Sequence, residues 1–122
     1  MSLLTEQVEA VIRGAARGML IVGFGREGEV SGVGVNPRHR ALSFVKVWEL
    51  AALAEELAAC ALVIVLVPEG RFRAPTTHEI EAFVDLRARA QRAQLVLLDC
   101  IVVRGDESWS LRELSLAMNL GL

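Results

Sequence analysis

The chain has 122 residues, 53% of them hydrophobic, with a formal net charge of −2. That length makes one domain with a real core, while the slight acidity argues against a nucleic-acid footprint. No apolar run approaches the roughly 20 residues of a membrane span, and no N-terminal stretch has the layout of a signal peptide.

Thr5 to about Arg17 reads as a helix, with Val8, Val11, Ile12 and Ala15 at helical spacing. It is set apart as an N-terminal helix over residues 1–18, ahead of a single domain over 19–122. Met19 to Phe24 reads as a strand, Gly25 to Gly28 as a turn and Glu29 to Val35 as its hairpin partner. Alternation places Val30, Gly32 and Gly34 on one face of that partner, and Ser31, Val33 and Val35 on the other. Gly23-Phe24-Gly25-Arg26-Glu27-Gly28 also spells G-x-G-x-x-G. The dinucleotide fingerprint needs a helix after its third glycine. The Val/Gly-rich stretch before Asn36-Pro37 cannot supply one, so the glycine-rich hairpin is the preferred reading.

Asn36 to Leu42 reads as a loop carrying His39, a solvated residue between arginines. Ser43 is expected to cap a helix running to about Ala58, with Phe44, Val47, Trp48, Ala51, Ala54 and Leu57 buried. Ala61 to Val67 is apolar throughout, as in a central strand covered on both faces. Pro68 to Pro75 breaks it. Thr76-Thr77-His78-Glu79 is a capping box opening a helix to about Arg92, with Ile80, Phe83, Val84 and Arg87 in one row. Gln94 to Val103 reads as a strand interrupted at Asp99-Cys100. A turn, a short extended piece at Ser108-Trp109 and a second capping box, Ser110-Leu111-Arg112-Glu113, follow. Leu111, Leu114 and Met118 are expected inward. Cys60 and Cys100 lie in or beside apolar runs, which predicts buried reduced thiols and a cytosolic compartment.

Strands alternating with helices make an α/β protein with a central mixed sheet. The order of elements, with three local motifs, resembles the RadC family, a bacterial branch of the JAB/JAMM (MPN) metalloprotease-like fold. Val67-Pro68-Glu69-Gly70, then Pro75-Thr76 and Glu79-Ile80, is similar to the family's His-x-His-Pro-Ser-Gly, Pro-Ser and Asp-Ile. Leu98-Asp99-Cys100-Ile101-Val102-Val103 is similar to its Leu-Asp-His-Ile-Ile-Val, and Ser110-Leu111-Arg112-Glu113 matches a segment near the end of its domain. The resemblance runs from about Met19 to Leu116 and implies a deaminase-like α/β sandwich flanked by helices. Active members bind zinc through two histidines and an aspartate, with a glutamate as base and a serine assisting.

Carried onto this chain, the two histidines become Val65 and Val67, which have no donor atom. The aspartate becomes Glu79 and the serine Thr76, while Pro68 and Gly70 persist as motif positions. No residue takes the place of the base: Glu29 is the nearest hairpin carboxylate, and a straightforward register puts Val33 there. Catalytic zinc needs three protein ligands and an open position. The resemblance therefore implies a domain without metal, cofactor or catalysis, which works as a binding or scaffold module through a homodimer or a protein partner. Two alternatives are weighed. One is a divergent hydrolase with a metal rearranged onto Glu79, Cys100, His78 and Asp99. The other is a nucleic-acid contact through Arg71 and Arg73, which flank Phe72 on the loop. The bland readings, preferred for each, are a capping role for Glu79, a buried thiol for Cys100, an exposed first-turn residue for His78 and a solvated tip for the arginines.

Overall fold

The computed structural model describes residues 18–36, 42–67, 74–104 and 106–119. The expected helix over 5–17, His39, and the loop segment with Pro68, Gly70, Arg71 and Arg73 lie outside these residues. The described chain runs β1 (Gly18–Phe24), β2 (Val30–Asn36), a 3-10 turn (Leu42–Phe44), α1 (Val47–Glu56), β3 (Ala61–Val67), α2 (Thr77–Arg92), β4 (Val96–Arg104), β5 (Glu107–Ser110) and α3 (Leu111–Ala117). The strands form one mixed sheet in the order β2-β1-β3-β4-β5. β1 is antiparallel to β2 and to β3, β3 and β4 are parallel, and β5 returns antiparallel along β4. The expected α/β class with a central mixed sheet is therefore observed.

The hairpin closes through Gly25 and Gly28, whose N–H groups donate to the carbonyls of Glu29 and Gly25 at 2.8 and 3.1 Å. Gly28 has φ +83°, a conformation that glycine adopts without a Cβ penalty. A strand follows, not a helix, so the G-x-G-x-x-G run is a turn. In the ladder Phe24 faces Val30 but Gly23 faces Gly32, which leaves Ser31 as a bulge. That extra residue corrects the expected faces. Val30 joins the apolar cluster of Leu20, Val22 and Phe24, whereas Gly32 and Gly34 lie beneath the end of α1. A Cβ on Gly32 would stand 2.9 Å from Leu57 Cδ2, and one on Gly34 3.0 Å from Leu53 Cδ2, so the glycines let the helix settle close to the sheet.

The start of α1 also differs from expectation. Ser43 sits in the 3-10 turn, and the helix begins afresh after Lys46, whose extended backbone (φ −100°, ψ 140°) forms the N-cap. The Lys46 N–H donates to Glu49 Oε1 at 3.1 Å. This break resets the helical phase. Leu50 and Ala54 are buried, with Val47 and Leu53 packed beside them. Phe44 and Trp48, expected inside, are 63% and 71% exposed, and Ala51 is exposed too.

α2 follows its expected span closely. Its buried row is Ile80, Phe83, Leu86 and Ala90, with Val84 partly buried; Leu86 takes the inward place expected of Arg87. β4 runs without interruption, and its irregularity lies one residue earlier than expected. Leu62 pairs with Leu97 and Val63 with Asp99, leaving Leu98 as the extra residue. The bulge puts Cys100 and Val102 on the same face as Leu97, all three in the main core. β5 pairs only with Ile101 to Arg104, so it covers half of β4. In α3 Leu111 is buried, but Met118 lies past the last turn and is 42% exposed. Cys60 is exposed as well, because it stands in the bend before β3.

Two apolar clusters result, one on each face of the sheet. The larger joins Met19, Ile21, Ile64, Leu66, Cys100 and Val102 to the 3-10 turn, α1, α2 and α3. The other, among the described residues, is made of strand residues: Leu20, Val22, Phe24, Val63 and Val65, with Val67, Ile101 and Val103 beside them. Among the described residues every helix belongs to the first face. No helix among them is long and apolar enough to cross a membrane.

Candidate functional site

The residues able to do chemistry gather where α2 and α3 begin, against the middle and end of β4. Thr76 caps α2: its hydroxyl accepts the Glu79 N–H at 3.2 Å, and Glu79 Oε1 accepts the Thr76 N–H at 3.1 Å. The expected capping box is thus formed. The other carboxylate oxygen, Glu79 Oε2, lies 3.5 Å from an Arg104 guanidinium nitrogen; the two side chains are 26% and 7% exposed. Arg104 follows Cys100 and Val102 at alternate positions of β4. Its guanidinium therefore stands on the helix-covered face, where a buried cation needs a partner.

Asp99 holds the second half of the cluster. Its Oδ2 accepts the Ser110 hydroxyl at 2.6 Å, and its Oδ1 accepts the N–H groups of Cys100 and Arg112 at 2.7 and 3.0 Å. Ser110 in turn accepts the Glu113 N–H at 3.1 Å. Ser110 and Asp99 thus satisfy two of the free amides in the first turn of α3, and the carboxylate also meets the positive end of the helix. Cys100 lies fully buried beside this group. Burial first, then the charges of Asp99 and Glu79, push its thiol well above its ordinary value of 9.0.

The positions carried over from the resemblance do not converge. Val65 is fully buried in the strand-only cluster, beside Val67, and pairs across the ladder with Ile101. Glu79, Thr76 and Cys100 belong to the other side of the sheet. Alternation along β3 is the reason: Ile64 and Leu66 face the helices, so Val65 and Val67 face away. His78 is exposed on the first turn of α2. Glu29 packs against Gly25 at the hairpin turn: a Cβ there would meet its carboxylate.

These residues do not fit a zinc ion of the family's kind. Val65 and Val67 offer no ligand atom, and Glu79 is engaged by Thr76 and Arg104. Among the described residues no three His, Cys, Asp or Glu side chains come together as a metal-binding group. What the arrangement does is fasten the N-termini of α2 and α3 to β4.

The sequence pointed to Glu79 and Thr76 because a capping box is local. It missed Arg104, because the strand was expected to end at Val103 and a turn to begin there, whereas β4 continues through Arg104. It also missed the tie between Asp99 and Ser110, since no spacing rule links residues eleven apart in sequence. In comparison with known proteins, no protein-family model matches the chain and no curated protein matches it.

Proposed function

We propose that this chain is a catalytically inactive RadC/JAMM-like domain that acts by binding protein, as a homodimer or as a scaffold for a partner. The observation that carries the inactive reading is the place of Val65 and Val67. Both positions where the resemblance calls for imidazoles hold valines, which have no donor atom, in an apolar cluster. The order of hairpin, helix, strand, helix, strand and capped helix supports the resemblance itself. Phe44 in the 3-10 turn and Trp48 in the first turn of α1, both large and exposed, support a surface that meets another chain. The carboxylates nearby have structural work: Glu79 holds α2 and Arg104, and Asp99 holds α3.

The rearranged hydrolase predicts the opposite metal behaviour. Metal analysis of protein purified without chelator is expected to find zinc well below one per chain, and unchanged in Glu79→Ala. One zinc per chain, lost on that substitution, would overturn the inactive reading.

A further inference from the structure

Five side chains of the strand-only cluster are buried more deeply than a sheet face without a cover allows. Leu20, Val22, Phe24, Val63 and Val65 are all 5% exposed or less. Neighbouring strands lie about 4.8 Å apart and shield a side chain only from its flanks, so its tip stays in water unless a second layer lies over the face. Among the described residues every helix lies on the opposite face. The burial is that of a single chain, so the second layer comes from the chain itself.

The buried area has the outline of one helix. Burial is deepest along β1 and β3, the strands that carry all five residues. It falls away on both flanks: Val33, which pairs with Val22 from β2, is 36% exposed, and Ile101 and Val103 of β4 are only partly buried. A strip two strands wide is about 10 Å across, the diameter of an α-helix with its side chains. β1 and β3 have seven residues each, so the strip is about 23 Å long.

Residues 1–17, 37–41, 68–73, 105 and 120–122 are the parts of the chain outside the described residues. The short ones lack the material for such a layer. Residues 37–41 and 68–73 hold Arg38, His39, Arg40, Arg71 and Arg73 against one large apolar side chain, Phe72, and residues 120–122 follow α3, which packs on the other face. Residues 1–17 run straight into Gly18, the first residue of β1. At about 100° per residue, Leu4, Val8, Val11, Ile12 and Ala15 fall on one side of a helix and Glu6, Glu9, Arg13 and Arg17 on the other. Wound as a helix, residues 5–17 reach about 20 Å, close to the length of the strip.

We propose that residues 4–17 form an amphipathic helix laid over β1 and β3, with Val8, Val11, Ile12 and Ala15 against the strand-only cluster and Glu6, Glu9, Arg13 and Arg17 in solvent. Docked there, the segment closes the face that carries Val65 to ligands and to other chains. This goes beyond the binding-module reading and stands or falls apart from it.

Nuclear Overhauser contacts between methyl groups of the full chain test it. Contacts are expected from Val8, Val11 and Ile12 to Leu20, Val22, Val63 and Val65. A mixture of isotope-labelled and unlabelled chains, filtered for contacts between the two, is expected to show none of them. No such contacts, or contacts found only between chains, would overturn the proposed docking. The first result would leave the cover elsewhere in the chain, and the second would make the segment an arm exchanged with a second copy. Val11→Asp/Ile12→Asp is expected to lose the contacts and to raise the fluorescence of the dye ANS, which reports uncovered apolar surface. Glu9→Ala/Arg13→Ala, on the polar side, should leave both as in the wild type. A Val11→Asp/Ile12→Asp protein that keeps the contacts and binds no more dye would also overturn the docking. Should that variant fail to fold by circular dichroism, the wild-type contacts still decide.

Discussion

Cys100 and Cys60 have the same side chain and opposite fates. Cys60 lies in an exposed bend, and Cys100 is sealed in the core next to two carboxylates. In the native protein one thiol per chain should therefore react with a soluble thiol reagent, and two after denaturation. Rapid modification of both without denaturant would contradict the burial of Cys100. The raised pKa also fixes a pH dependence. Above the ordinary value of 9.0, the unfolded chain gives up the Cys100 proton while the folded chain keeps it. The unfolded state then binds fewer protons, so stability falls as pH rises. The contribution is fully present below about pH 9 and is lost progressively toward the folded-state pKa. Urea midpoints measured between neutral pH and about pH 10 should decline less steeply for Cys100→Ala than for the wild type. Equal slopes would remove Cys100 as the cause.

At the level of elements, the helix ends follow one pattern. After α1, Ala58 lies at φ 51°, with the Ala59 N–H donating to the Ala54 carbonyl and the Ala58 N–H to the Glu55 carbonyl. After α2, Gln94 lies at φ 61°, with Leu95 bonded to Ala90 and Gln94 to Gln91. Both are left-handed caps of the kind that glycine fills best. Ala58→Gly and Gln94→Gly should each raise stability by about 0.5–1 kcal/mol, since the strain of a Cβ in that conformation outweighs the added freedom of the unfolded chain. Thermal melting reads the result, and a lower midpoint for both would show that the caps are unstrained. Such ends were not legible in the sequence, because neither position carries the glycine that announces a cap. The starts were legible where the N-cap residue's own side chain makes the contact, as at Thr76, and illegible where it does not, as at Lys46. Strand order in sequence could be read from apolar runs. Facing could not, because the bulges at Ser31 and Leu98 each shift the alternation by one residue. Those two residues decide that Val30 joins the strand-only cluster and that Cys100 enters the main core.

Over the whole molecule, the sheet is a partition. It separates the strand-only cluster around Val65 from the polar cluster around Glu79, and side chains cannot share an ion across it. Introducing imidazoles at these positions should therefore not create a metal site. A Val65→His/Val67→His variant is expected to bind zinc no more tightly than the wild type by calorimetry. It should also lose about 2–4 kcal/mol of stability in urea, because polar imidazoles then replace valine side chains in a buried apolar cluster. Tight one-to-one zinc binding that Glu79→Gln abolishes would show that the two sides communicate. The resemblance supplied the positions to test; the alternation of β3 supplied their separation.

The half-covered strand β4 has a last consequence. β5 stops opposite Ile101, and at that point the Asp99 carboxylate takes the Cys100 N–H that a further strand residue would otherwise meet. The same carboxylate holds the first turn of α3, so the chain turns away as a helix where a ladder could have continued. A sheet margin whose final rung is a side chain offers no continuous backbone template to a passing strand. Asp99 thus ends the ladder between β4 and β5 at Ile101 and closes that part of the β4 edge to further pairing.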